Sequence, residues 1–136
     1  MVWSCLVSIL PGMAQTEKLT DYVTPFVGTD GYGNVYPGAQ IPFGGIQISP
    51  DTDSRFYDAA SGYKYNHLTL MGFSLTHLSG TGIPDLGDFL FIPGTGEMKL
   101  EPGTHEDPDQ GYRSRYSHDK EWASPNYYAV ELADYG

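Results

Sequence analysis

Seventeen aspartates and glutamates stand against seven lysines and arginines in this chain, so the first question is which carboxylates stand close enough to work together. Candidates are Asp51 with Asp53, Asp85 with Asp88, and the run Glu106, Asp107, Asp109. A hydrolytic acid and base sit about 6.5–9.5 Å apart across a substrate when water attacks directly. Residues two apart on a strand share a face, so Asp51 and Asp53 could converge. Yet Ser49-Pro50-Asp51-Thr52-Asp53 reads as a turn, where Asp caps backbone N–H groups. Glu106 to Asp109 surround Pro108 and read as a solvated loop. Asp85 and Asp88 stand apart from both, because they follow Gly80-Thr81-Gly82 and precede an apolar run. With His77 they would make three ligands for a zinc-like ion, at a spacing that matches no strong motif. No Gly-x-Ser-x-Gly elbow is present. Gly28-Thr29-Asp30-Gly31 lacks the Gly-Lys-Ser/Thr ending of a phosphate loop.

Two glycine-rich stretches carry the other candidates. Gly28 to Gly45 holds Gly28, Gly31, Gly33, Gly38, Gly44 and Gly45, with Pro37 and Pro42 between them. Gly80 and Gly82 follow directly on the segment carrying His77. Such glycines allow turns with φ > 0 and let another surface approach closely. The two loops either shape one pocket rim or are ordinary β turns. Asn34, His77, Ser79 and Asp85 place short polar groups beside these glycines, a pattern suited to hydrogen-bonding hydroxyls. Tyr32, Tyr36, Tyr63, Tyr65 and Trp122 supply rings that can pack on the C–H face of a sugar, although core or strand-surface positions are the usual place for aromatics.

The elements that must position these residues read as short strands. Ile46 and Ile48 alternate with polar or small neighbours, as do Met71, Phe73 and Leu75, Met98 and Leu100, and Tyr128, Val130 and Leu132. Period-two alternation places one set in the core and the other in solvent. Phe89 to Ile92 is continuously apolar, which predicts a strand buried on both faces. No stretch of useful length shows the i, i+3, i+4 pattern of an amphipathic helix. Strands separated by regular turns predict an all-β fold, an antiparallel β-sandwich.

Composition agrees. The 136 residues suffice for one domain. Gly (17) and Pro (10) make up about a fifth of them, against roughly an eighth in average usage. The net charge of −10 lies wholly beyond residue 14 and excludes nucleic-acid binding, since phosphates would be repelled. Cys5 is the one cysteine, so no intramolecular disulfide forms. Residues 1–14 read as the end of a secretory signal peptide, with cleavage after Ala14, although no Lys or Arg precedes the apolar run. That run is too short to span a bilayer. Localisation is therefore expected to be secreted, periplasmic or at the cell envelope. Residues 15–136 are expected to form a partial amino-terminal domain, because a strand over 127–133 runs into Asp134-Tyr135-Gly136 with no following partner, leaving an open apolar edge.

Four stretches together resemble one known family. They are Pro25-Phe26-Val27-Gly28-Thr29 leading to Tyr36-Pro37-Gly38-Ala39; Pro42-Phe43-Gly44 with Ser49-Pro50-Asp51-Thr52; Ser61-Gly62-Tyr63 followed by the run from Gly72 to Gly82; and Tyr112 to His118 with Ala123-Ser124-Pro125. Their order and spacing resemble the amino-terminal domain of the family-92 glycoside hydrolases, exo-acting α-mannosidases. The resemblance covers nearly everything from Leu19 to Gly136, and the run from Gly72 to Gly82 is its most specific part. It implies a β-sandwich packed against a much larger helical domain, with calcium-dependent, inverting hydrolysis of mannose-containing glycans. The acid, base and calcium ligands are implied to lie in that helical domain, so no residue here inherits a catalytic role or a metal. What carries over is one side of a sugar pocket, from loops matching Gly31 to Val35 and His77 to Asp88. The substrate-binding candidates are thus Tyr32, Asn34, His77, Ser79, Asp85 and Asp88. Tyr32 stands where the family pattern often has His, and Ile83 where some members have Cys, so the linkage preference is not carried over.

Readings of other classes remain: a free-standing carbohydrate-binding module without catalytic activity, and a structural surface domain with no sugar role.

Overall fold

The structure, a computed structural model, describes residues 17–41, 44–53, 57–80 and 82–135. The leader with Cys5 and the expected cleavage site after Ala14 lie outside the described residues, as do Pro42, Phe43 and Thr81. Among the described residues there are six short strands: β1 (Ser49–Asp51), β2 (Thr69–Leu70), β3 (Gly72–Ser74), β4 (Ser114–Arg115), β5 (Glu121–Ser124) and β6 (Tyr127–Val130). The other regular elements among the described residues are four single turns of 3₁₀ helix, at Leu19–Tyr22, Tyr57–Ala59, Pro108–Gln110 and His118–Lys120. All strand pairs are antiparallel: β1 with β3, β2 with β4, and β5 with β6. The all-β, antiparallel class expected from the turn density is borne out.

Pro50 shows how the pairing is arranged. It lies opposite Phe73 in the β1–β3 ladder. A proline has no N–H to give a ladder, and none is needed here. Phe73 spends its N–H and C=O on its other side, donating to Phe91 O at 2.7 Å and accepting from Phe91 N at 2.9 Å. The pairing continues from there: Leu75 N donates to Asp88 O and Gly87 N to Thr76 O, and His77 bridges Leu86. The segment 72–77 is therefore bordered by β1 on one side and by 86–91 on the other, and the second glycine-rich loop closes the end of that pairing.

Several strand expectations are corrected. Phe89 to Ile92 is not a buried strand: Phe89, Leu90 and Phe91 are 75%, 37% and 58% exposed. Leu86, Gly87 and Phe89 take left-handed φ of 67°, 75° and 54°, which interrupts the ladder so that Phe91 pairs singly. Met98 and Leu100 are exposed and belong to no strand. Ile46 and Ile48 are exposed too; Ile48 only bridges Ala39, and β1 begins after it.

The apolar core is small: Tyr36, Tyr63, Leu70 and Tyr116, with Phe26, Phe73, Val130 and Leu132 packed against it. Polar groups fill much of the remaining interior. Glu121 is buried and accepts from Tyr63 Oη at 2.9 Å and from Tyr128 Oη, while His118 Nδ1 lies 2.6 Å from its other oxygen. Burial and then neighbouring charge, Glu121 included, push the Tyr63 and Tyr128 hydroxyls far above their ordinary range. Arg113, also buried, reaches Thr52 O at 2.6 Å and Thr69 Oγ1 at 3.1 Å, with Asp53 3.9 Å from its Nη2.

Candidate functional site

The two glycine-rich loops lie together, and one residue joins them. The carbonyl of Asn34 accepts the Gly80 N–H at 2.6 Å, and its side-chain oxygen accepts the Ala60 N–H at 3.2 Å. Asn34 holds a left-handed φ of 48°, a conformation that Asn adopts far more readily than most residues. It is buried. Its polar atoms therefore hold three segments of chain in register.

His77 is buried at the base of the second loop. Its Nδ1 lies 2.7 Å from the Gln47 carbonyl and so donates. Its Nε2 is 3.0 Å from both Asp51 Oδ1 and Ser74 Oγ, and its ring packs 4.9 Å from that of Tyr36. The second Asp51 oxygen accepts the Ser74 N–H at 2.8 Å. Asp51 thus caps a backbone N–H as its sequence context suggested, but from strand β1 across the ladder and not within a turn. Gly62 explains itself at the same place. A Cβ there would come within 2.1 Å of Asp51 Oδ1, and its φ is +90°.

The remaining candidates face outward. Asp85 Oδ1 takes the next N–H, that of Leu86, at 2.8 Å. Asp88 accepts from Thr76 Oγ1 at 3.2 Å. Both carboxylates and Ser79 are exposed. Tyr32 is 80% exposed, with its ring centroid 6.4 Å from that of Tyr57. Among the described residues no three His, Cys, Asp or Glu side chains are arranged to hold a metal ion; His77 spends its ring nitrogens within the chain, away from Asp85 and Asp88. A groove of about 580 Å³ lined by Leu90, Phe91, Met98, Leu100, Tyr112 and Tyr135 shares no residue with the glycine-rich loops.

Reading the sequence missed three participants. The sequence around Asp51 reads as a turn and gives no link to His77; Gln47 carries no motif; and Tyr57 lies in a stretch without alternation. The glycine of Ser61-Gly62-Tyr63 was the one available signal for Asp51, since a close backbone approach calls for a partner surface.

The sequence model of the glycosyl hydrolase family 92 N-terminal domain matches residues 22–136. A solved family GH92 α-mannosidase from Bacteroides thetaiotaomicron, also solved with mannoimidazole, is 99% identical over 88% of this chain, with a TM-score of 0.85. The GH92 family glycosyl hydrolase ccman5 is 34% identical over 83% of the chain, with a TM-score of 0.66. An uncharacterized secreted glycosidase of Arthroderma benhamiae is 36% identical over 73 residues, 53% of the chain. The chain spans only 16%, 14% and 9% of these three relatives. Among the described residues no helix is long and apolar enough to cross a membrane. A match that runs from Tyr22 to the last residue and takes in both glycine-rich loops shows that this chain belongs to glycosyl hydrolase family 92 and represents its N-terminal domain.

Proposed function

We propose that this chain forms one rim of the sugar pocket in a longer, exported α-mannosidase acting on mannose-containing glycans. The observation that supports it is the 99% identity to a solved α-mannosidase over 88% of the chain. Within that reading Tyr32, Ser79, Asp85 and Asp88 are the exposed groups within reach of sugar hydroxyls and ring faces. Asn34 and His77 act one step back, holding the loops that carry them. Catalysis by inversion belongs to a helical domain beyond this chain. By the same resemblance, calcium belongs to that helical domain as well.

The test compares the longer protein with this 136-residue chain on α-linked mannosides, with and without a calcium chelator. Mannose release by the longer protein, lost on chelation and absent from the short chain, is the expected result. Release by the short chain would place catalysis within it. Glycan binding by the short chain, with no hydrolysis by the longer protein, would favour the carbohydrate-binding module.

A further inference from the structure

We infer that the apolar groove along residues 90–100 is the docking site of a β-strand from the polypeptide that follows residue 136 in the longer protein. The inference needs only that longer chain and not its activity, so it stands or falls apart from the mannosidase reading.

The segment Glu97-Met98-Lys99-Leu100 carries the alternation of a strand with one apolar face. Its polar side is engaged within the domain: Lys99 Nζ donates to Asp109 O at 2.5 Å, on the turn Pro108–Gln110. Its apolar side faces water, with Met98 83% and Leu100 81% exposed. With Leu90, Phe91, Tyr112 and Tyr135 these two side chains wall the groove of about 580 Å³. A second hollow of about 470 Å³ shares Gly94, Thr95 and Tyr135 with it and carries the apolar surface on to Trp122 and Val130. An apolar surface of this extent marks an interface.

The backbone decides which kind of partner fits. Among the described residues no backbone–backbone hydrogen bond involves residues 92–100. Pairing stops at Phe91 and resumes at Glu101, whose carbonyl accepts from Tyr112 N at 2.9 Å. Unpaired N–H and C=O groups beside alternating apolar side chains suit an added strand, which bonds the main chain and covers every second side chain. A helix laid in the same groove would cover Met98 and Leu100 but bury those backbone groups without partners.

The occupant follows from how Tyr135 is held. Its Oη donates to Tyr112 O at 2.6 Å, and its ring lies 3.5 Å from the place a Cβ would take on Gly94. Tyr135 is thus fixed in the wall shared by the two hollows, and the polypeptide beyond it emerges beside the groove. The longer relatives have chain enough to supply the strand. This one spans 16% of the α-mannosidase that it matches at 99% identity, and it matches an N-terminal domain. A tethered strand also docks at a high effective concentration, which a second copy of the chain lacks.

The test uses the longer protein, and none of its readouts depends on activity. In the wild type, peroxide oxidation of Met98 and exchange of the 97–100 amides are followed by mass spectrometry, against the same protein in denaturant. Both should be slowed by roughly tenfold or more, and equally so in dilute and concentrated solution. A benzophenone side chain installed in place of Met98 should, on illumination, cross-link to residues beyond 136 of the same molecule. Oxidation of Met98 as fast as in denaturant would show an open groove and overturn the inference. Slow oxidation with freely exchanging amides would mean a cover that does not pair with the backbone, and would overturn it as well. Protection that grows with protein concentration, or a cross-link that doubles the mass, would give the groove to a second copy instead. A cross-link to residues 1–16 would give it to the leader, against the inference. Wild-type oxidation and exchange carry the test should the benzophenone variant fail to fold.

Discussion

His77 Nε2 and Asp51 Oδ1 meet at 3.0 Å, 26 residues apart in sequence, with their side chains 2% and 5% exposed. The contact locks the second glycine-rich loop onto strand β1, because the same ring also holds the Gln47 carbonyl. His77→Ala in the longer protein would leave the Asp51 carboxylate buried, its Oδ1 stripped of the imidazole while Oδ2 still accepts the Ser74 N–H. A loss of roughly 3 kcal/mol is expected, seen as an earlier thermal transition. A variant that melts with the wild type while losing kcat/KM would show that His77 serves the substrate directly.

Gly62→Ala should destabilise by a similar amount. The new methyl would overlap Asp51 Oδ1, and alanine disfavours the φ of +90° held there, which together cost about 3 kcal/mol or more. Denaturant titration reads the loss directly, and a stability within about 0.5 kcal/mol of wild type would mean that the backbone relaxes away from Asp51.

Asn34→Ala removes the acceptor for Ala60 N and installs a side chain less tolerant of left-handed φ. About 2 kcal/mol should be lost, while Asn34→Asp, which keeps a side-chain oxygen, should lose less. Amide hydrogen exchange separates the two: the Ala60 N–H should exchange faster in Asn34→Ala and remain protected in Asn34→Asp. Unchanged protection in Asn34→Ala would remove Asn34 from its place as the tie between segments.

Alkali should expose the buried tyrosines. Burial is the first cause raising Tyr63, Tyr116 and Tyr128 above the ordinary tyrosine value. Their unfolded counterparts lose protons near pH 10 while the folded hydroxyls keep theirs, so the unfolded state binds fewer protons and stability falls as pH rises. The contribution is complete below about pH 10 and declines above it by up to about 1.4 kcal/mol per pH unit for each tyrosine. Tyr63→Phe should make the decline above pH 10 shallower, measured as denaturant midpoint against pH. Parallel curves for the two proteins would refute this origin of the decline.

Local pattern made part of this legible and long-range pairing made the rest illegible. Phe73 and the Tyr127–Val130 strand were readable because alternation records which face of a strand is apolar. Phe89, Met98 and Leu100 carried the same signal and lie exposed, since alternation says nothing about whether a neighbour covers that face. The joining of the two loops through Asn34 depends on a contact with Gly80 across 46 residues, which no local period encodes. Asn34 and His77 looked like sugar ligands because short polar groups beside glycines suit that role; the same groups also suit closing a loop on itself.

The buried polar bonds also impose a schedule on the chain as it is made. Tyr63 finds its acceptor 58 residues later at Glu121, Thr52 its donor 61 residues later at Arg113, and His67 its donor 49 residues later at Tyr116. Closing such loops costs entropy before any contact rewards it. The bonds made by Thr52, Tyr63 and His67 therefore cannot close while the stretch around 113–121 is still within the ribosome. During that interval the first half of the sequence waits with its polar interior open to water, and its capture by chaperones should peak there and fall once Glu121 has emerged.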